Sequence, residues 1–206
     1  ASAWIGDGAT AESDFYSAMV FASTYNAPVI LNIVNNQWAI STFQGFARGN
    51  AVTFAERGHG FGIPSLRVDG NDFLATYAVV RECVEKSARG EGPFLVEMLT
   101  YRIGGHSTSD DPRAYRMQDE VESWRRTDPL VRARAHLDVL DAWSDAEDET
   151  FKSETEAELK ECIAKAEAKP KPALSTMFDG VYAEKPWHLK EQQEACENGP
   201  RAKEHH

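Results

Sequence analysis

Two periods of apolar residues alternate along this chain. Short runs dense in Val, Ile and Leu, such as Pro28-Val29-Ile30-Leu31-Asn32-Ile33-Val34 and residues 94–99, have the length and composition of buried strands. Between them stand segments whose apolar residues recur at helical spacing. Residues 12–25 carry Phe15, Met19, Phe21 and Ala22, and residues 73–88 carry Leu74, Tyr77, Val80 and Val84. Trp4-Ile5 reads as the end of a further short buried strand, and residues 66–68 as another. Asp72 is placed to cap the helix after it, and Gly90 with Gly92-Pro93 to stop that helix. Strands alternating with helices predict an α/β fold, a mainly parallel sheet flanked by helices. Four strands make a small sheet, part of a doubly wound domain rather than all of one.

Elsewhere the pattern is polar. Residues 39–62 read as a long glycine-rich loop with one helical turn near Phe54, and loops of that length usually carry function. Asp119 is positioned to cap a short helix to residue 126, and Pro129 opens another over residues 130–140. Residues 144–169 form a long acidic helix with Phe151, Leu159, Ile163 and Ala166 on one face, broken by Lys169-Pro170-Lys171-Pro172. A last helix near residues 189–197 lies in a polar tail. The expected division is an α/β core at residues 1–128, with a loop at 100–118, followed by a helical C-terminal extension at 129–206.

At 206 residues and 42% hydrophobic the chain can bury one real core. The net charge of −11, with no basic stripe, argues against nucleic-acid binding. Apolar runs are strand-length, so no membrane span is expected. No signal peptide is visible, yet Ala1 is not an initiator Met and upstream sequence is expected to be missing. Cys83, Cys162 and Cys196 sit far apart, forming neither a disulfide framework nor a zinc ligand set, as in a reducing interior. His205-His206 reads as a tag remnant and is set aside from any metal argument.

The chemistry concentrates in two stretches. Ile5-Gly6-Asp7-Gly8-Ala9-Thr10 follows the first strand, and Asn35-Asn36 follows the second. In a parallel sheet both fall at the carboxyl edge, where α/β proteins bind ligands. One carboxylate and one amide oxygen there suit a hard cation such as Mg²⁺, which shares its shell with phosphates. The glycines beside Asp7 let backbone N–H groups approach an anion, near the positive end of the next helix. Taken singly, each piece is an ordinary turn. A dinucleotide fingerprint would need a third glycine, which Gly6-Asp7-Gly8 does not supply. The second stretch, residues 100–111, joins a Gly104-Gly105 hinge to His106, hydroxyls and Asp110-Asp111. An imidazole titrates near neutrality and can move a proton during reaction at a carbonyl. On residue chemistry alone, Arg102, Asp110, Tyr115 and Arg116 are a solvated charged segment.

Together, Gly6-Asp7-Gly8, a helix, an apolar strand and Asn35-Asn36 occur at the spacing of the thiamine diphosphate signature. From about residue 3 to about residue 193 the chain resembles the alpha subunits of 2-oxo acid dehydrogenases. Asn35-Asn36-Gln37-Trp38-Ala39-Ile40-Ser41-Thr42 and His106-Ser107-Thr108-Ser109-Asp110-Asp111 are similar to the branched-chain type. The resemblance implies a thiamine diphosphate-binding fold whose usual N-terminal part is absent here. It implies Mg²⁺ held by Asp7, Asn36 and the Trp38 backbone carbonyl, with Gly6, Gly8 and Ala9 lining the diphosphate. His106 would contact the cofactor and support acyl transfer to a lipoyl group. Ser107 matches the serine phosphorylated in mitochondrial members, and Arg102, Asp110, Tyr115 and Arg116 match residues that order the loop. Some members carry Arg where this chain has Val34, so a diphosphate contact from there is lost.

The implied activity is oxidative decarboxylation of branched-chain 2-oxo acids. Implied partners are a beta subunit, in a heterotetramer, and the lipoyl domain of an acyltransferase. The alternatives are a pyruvate or acetoin dehydrogenase alpha subunit, or an inactive fragment of one. A cytoplasmic site is expected if the source is bacterial, and the mitochondrial matrix if it is eukaryotic.

Overall fold

The computed structural model describes residues 1–200, so His205 and His206 lie outside the described residues. Two compact units are present, Ala1–Ser144 and Asp145–His206. In the first, Ser2–Gly6 forms β1, Ser13–Thr24 α1 and Ile30–Asn35 β2. The two-residue strands Trp38–Ala39 (β3) and Thr42–Phe43 (β4) follow, then the short helices Gly45–Arg48 (α2) and Glu56–His59 (α3). Ser65–Asp69 is β5, Phe73–Ala88 α4 and Phe94–Leu99 β6. The main sheet runs β1-β2-β6-β5 and every pairing in it is parallel.

Alternation along the strands divides the core. Leu31, Ile33 and Leu95 pack with Phe15, Met19 and Ala22 of α1 and with Phe54 and Ile63. Ile30, Phe94, Val96 and Met98 pack with Val68 and with Cys83 of α4 on the other face. Each fully buried large apolar side chain contributes about 1.5–3 kcal/mol relative to exposure. Helix α4 starts where expected, its Asp72 side chain accepting the Ala75 N–H at 2.9 Å.

Several expectations change. β1 is not a buried strand but the sheet edge, leaving Trp4 57% exposed, because among the described residues it pairs with β2 alone. Residues 39–62 are not a plain loop: β3 and β4 form a tight hairpin, and two helical turns follow. A four-residue 3-10 turn that the pattern did not predict, Gly8–Ala11, stands between Asp7 and α1, while α1 itself falls within the expected residues 12–25.

Past the sheet, Gln118–Arg125 (α5) has Met117 at its cap position, and Asp119 sits in the first turn, where an acid favours the helix dipole. Pro129–Val139 (α6) is capped by Asp128, whose Oδ1 accepts the Leu130 N–H at 2.8 Å. The first compact unit ends at Ser144 and so includes α6. Arg132 of α6 explains this, donating to Asp69 at 2.8 Å and to Asp72 at 2.9 Å. The second unit holds Asp145–Glu167 (α7) and Trp187–Asn198 (α8). Phe151, Leu159 and Ile163 of α7 are all more than half exposed, and i,i+4 pairs such as Lys152 with Asp148 at 2.7 Å lace its surface.

Candidate functional site

Register builds the site. β1 and β2 pair with Gly6 opposite Val34, so the next residues of both segments emerge at one edge. There the Val34 carbonyl accepts the N–H of Asp7 at 3.3 Å and the N–H of Asn36 at 3.1 Å. One backbone oxygen thus holds together the two residues singled out for a cation.

Asp7 is 2% exposed and its Oδ2 has no hydrogen-bond partner among the described residues. Burial raises its pKa above the usual carboxylate value, while the backbone N–H groups of Asp7 and Gly8 and the charge of Arg102 oppose that rise. An unsatisfied buried polar atom costs about 1–3 kcal/mol, and more if charged. Seven other buried side-chain atoms also lack a partner among the described residues, but Asp7 Oδ2 alone of them is a carboxylate oxygen, a group able to take a cation.

Asn36 is half-buried, and its Oδ1 accepts the Trp38 N–H at 3.2 Å. Just before it, Asn35 Oδ1 accepts the Gln37 N–H at 3.1 Å. These overlapping side-chain turns hold Gln37 at φ +69°, a conformation that L side chains rarely adopt. The turn delivers the Trp38 carbonyl to the same edge. That oxygen already accepts Nη1 of Arg102 at 3.1 Å, and a carbonyl's second lone pair remains for another partner. Gly8 is needed where it stands, since a Cβ there would meet the Ala39 Cβ at 2.4 Å. Gly6 and Ala9 are exposed. A cavity of about 290 Å³ opens beside Asp7 and Gly8, walled by Ala39, Thr42, Phe43 and Gln44. Among the described residues no group of three or more His, Cys, Asp or Glu could hold a metal. The donor set here is one carboxylate with neutral oxygens, as a hard, phosphate-sharing cation takes.

Arg102 ties this edge to the loop after β6. Its N–H donates to the Asn36 carbonyl at 3.2 Å, and its Nη2 donates at 2.6 Å to both the Ile40 carbonyl and the Tyr115 hydroxyl. Tyr115 in turn donates to Asp110 at 2.6 Å. The same Asp110 oxygen accepts the His106 backbone N–H at 2.7 Å, and these bonds hold its carboxyl below the usual range. Burial, then the bond to Asp110, raises the Tyr115 phenol. Arg116 is buried, capping the Arg102, Ile103 and Gly104 carbonyls and lying over the Tyr101 ring. Arg102, Asp110, Tyr115 and Arg116 are therefore one bonded cluster, not a solvated segment. His106 and Ser107 are exposed at its outer side, with Ser107 Oγ 3.1 Å from Ser109 Oγ. They are not among the residues walling the Asp7 cavity. His59, His136 and His188 are exposed as well.

Residue pattern missed Glu97 and Arg57. Glu97 is 0% exposed on β6. Its signal was a lone acid inside an apolar strand, sharing the Leu95 face. Arg57 donates to the Thr10 and Ala47 carbonyls and lies 5.2 Å from the Phe54 ring centroid, bracing the 3-10 turn.

Residues 1–175 match the protein family described as Dehydrogenase E1 component. The chain is 52% identical over 200 residues to the 2-oxoisovalerate dehydrogenase subunit alpha of Pseudomonas aeruginosa, covering 94% of this chain and 49% of that one. It is 42% identical to the pyruvate dehydrogenase E1 component subunit alpha of Acholeplasma laidlawii, covering 92% of this chain and 55% of the relative. Identity to the mitochondrial 2-oxoisovalerate dehydrogenase subunit alpha of Bos taurus is 41%, covering 93% and 42%. The chain spans about half the length of the curated relatives it matches.

Proposed function

Because the chain belongs to the dehydrogenase E1 component family, we propose that it acts as the alpha subunit of a branched-chain 2-oxo acid dehydrogenase. In this reading it works with a beta subunit, decarboxylates the 2-oxo acid and passes the acyl group to a lipoyl group of a partner acyltransferase. The family depends on thiamine diphosphate. The observation that carries the proposal is the buried, half-unpartnered Asp7 carboxylate fastened beside Asn36 on the Val34 carbonyl.

Asp7, Asn36 and the Trp38 carbonyl would hold Mg²⁺, and the backbone of Gly6, Gly8 and Ala9 would line the diphosphate. When bound, thiamine diphosphate supplies the carbon nucleophile and electron sink that decarboxylation of a 2-oxo acid requires. Asp7 contributes the one formal negative charge of the ligand set, and its burial keeps that charge unscreened. Arg102 fixes the Trp38 carbonyl while ordering the loop through Tyr115 and Asp110. His106, at the outer side of that loop, would carry a proton at the substrate's carbonyl oxygen and assist acylation of the lipoyl group. A phosphate on Ser107 would put about two negative charges beside His106 and repel an anionic substrate.

Two stretches support the branched-chain substrate class: residues 35–42 and residues 106–111. Pyruvate is the second reading, favoured by the 42% identity to a pyruvate dehydrogenase subunit. Bacterial and mitochondrial relatives both resemble the chain, and no helix among the described residues is long and apolar enough to cross a membrane.

The test is dye-linked decarboxylation by the chain mixed with a branched-chain beta subunit, Mg²⁺ and thiamine diphosphate. Turnover of 3-methyl-2-oxobutanoate, abolished by Asp7→Ala, is the expected result. Faster turnover of pyruvate would overturn the substrate class. Turnover of neither acid by a folded chain would make it an inactive fragment.

A further inference from the structure

Behind the Asp7 edge lies a buried polar cluster that the reaction scheme above does not use. Glu97 Oε1 accepts Nδ2 of Asn35 at 2.8 Å, and its Oε2 accepts the N–H of Ala55 at 3.0 Å. The same Asn35 nitrogen donates to Gln44 Oε1 at 2.9 Å, and Gln44 donates to Gln37 Oε1 at 3.3 Å. Gln37 Nε2 completes the cluster on the Thr100 carbonyl at 2.9 Å. Asn35, Gln37, Gln44 and Glu97 are all buried.

The cluster sets an orientation. Two acceptors on Asn35 Nδ2 fix which way its amide faces, so Oδ1 must point at the Gln37 N–H. That bond holds Gln37 in its left-handed conformation, φ +69°. The turn so held presents Asn36 and the Trp38 carbonyl. Glu97 sits at the head of the chain of bonds. Both groups it meets, the Asn35 amide nitrogen and the Ala55 N–H, are donors, and its two oxygens accept one bond each. Arg67 Nε, 3.7 Å away and partly exposed, offsets part of the charge.

We propose that Glu97 is a positioning residue for the metal ligands: acting through Asn35, it orients the turn that sets Asn36 and the Trp38 carbonyl beside Asp7. This role presupposes the metal–diphosphate reading of that edge. In Glu97→Gln the new amide must turn its NH₂ toward the Ala55 N–H or the Asn35 amide nitrogen. Either Asn35 rotates and releases Gln37, or the β6 contact to Ala55 opens. The added exchange Asn35→Asp restores a donor–acceptor pair in the reversed sense. The amide introduced on β6 then donates, and the carboxylate introduced on β2 accepts while keeping an oxygen for the Gln37 N–H; Gln44 must turn its amide nitrogen toward β2, which gives up its 3.3 Å bond to Gln37.

The measurement is Mn²⁺ affinity by electron paramagnetic resonance, with the chain mixed with a branched-chain beta subunit and thiamine diphosphate. Far-ultraviolet circular dichroism on each variant reports folding. Glu97→Gln is expected to weaken Mn²⁺ about tenfold, in the range of losses when an outer partner of a metal ligand is removed. The double variant Glu97→Gln with Asn35→Asp is expected to recover part of that loss. Should Glu97→Gln fail to fold, Gln44→Leu, which removes the second Asn35 acceptor, is expected to weaken Mn²⁺ about threefold, a smaller loss of the same kind. Wild-type affinity in the folded Glu97→Gln chain, or in Gln44→Leu if that variant decides, would overturn the positioning role, as would a loss that the double variant does not reduce at all. If Asp7→Ala abolishes binding while Glu97→Gln does not weaken it, the metal site stands and the positioning role falls. No Mn²⁺ binding by the unsubstituted chain would remove the site itself.

Discussion

Replacing Asp7 with Asn should make the unliganded chain more stable and the liganded chain less so. Asp7 is 2% exposed with Oδ2 unpartnered, and burial raises its pKa. A carboxylate whose folded pKa lies above its unfolded value binds more protons when folded. Stability therefore falls as pH rises from the ordinary value near 4 through the raised folded value, and stays lower above it. Asn carries no charge and escapes that fall. It still leaves an amide N–H to place, so of the roughly 1–3 kcal/mol for an unsatisfied buried group about 1 kcal/mol is the expected net gain. For a chain of this size that is about 2–4 °C in melting temperature. Saturation of the wild type at a hundred times Kd with Mg²⁺ and thiamine diphosphate adds about 2.7 kcal/mol. At about 2–4 °C per kcal/mol the shift is about 5–11 °C. The variant should show none of it. Differential scanning fluorimetry from about pH 4.5 to about pH 8, with and without the ligands, reads all three quantities. The reasoning fails if unliganded Asp7→Asn melts below wild type at the alkaline end, if the gap does not widen with pH, or if the ligand shift survives.

Other expectations follow from single contacts. Gly8→Ala puts a Cβ 2.4 Å from that of Ala39 and should cost about 1–3 kcal/mol by overpacking, read by urea denaturation; an unchanged midpoint would contradict the close approach. Arg116→Ala frees the Arg102, Ile103 and Gly104 carbonyls. Limited proteolysis within residues 103–111 should quicken by roughly tenfold, the loss of charged hydrogen bonds worth about 1.5 kcal/mol, and equal rates would show the loop is ordered by other means. Asp111 is bonded to Arg113 and its pKa is lowered to about 2. The favourable interaction is full above the ordinary pKa and disappears as pH falls through about 2. NMR titration should find that value, and Arg113→Ala should bring it back toward the ordinary range.

Much of this was open to reading from residue order. Buried runs located β2 and β6, helical spacing located α1 and α4, and Asp72 marked the start of α4. Parallel pairing then sends Asp7 and Asn36 to one edge, because the side on which a strand ends follows from topology. What stayed hidden depends on neighbours. Trp4 looks like a core residue until β1 is known to be an edge. The β3–β4 hairpin rests on positive φ at Gln37 and Ile40, neither of them glycine, so no turn signature announces it. The dense polar segment from Arg102 to Arg116 becomes a cluster only when Arg102 reaches back across to the Trp38 and Ile40 carbonyls. Period two along β6 would have exposed Glu97, had its place on the Leu95 face been weighed against Asn35 on β2.

The shared Val34 carbonyl has a mechanical consequence. Asp7 and Asn36 hang from one oxygen at the carboxyl end of the β1–β2 seam, so neither can drift while the other stays. Thermal opening of that seam would detach both anchors in a single event, and a cation held there as proposed would be lost whole rather than ligand by ligand. β1 is an edge strand, held from one side, which makes this seam the first place such opening would start. Amide protons of Asp7 and Asn36 would then exchange with solvent at one common rate, and whatever stiffens β1 from its open side would lengthen the residence time of the bound ion.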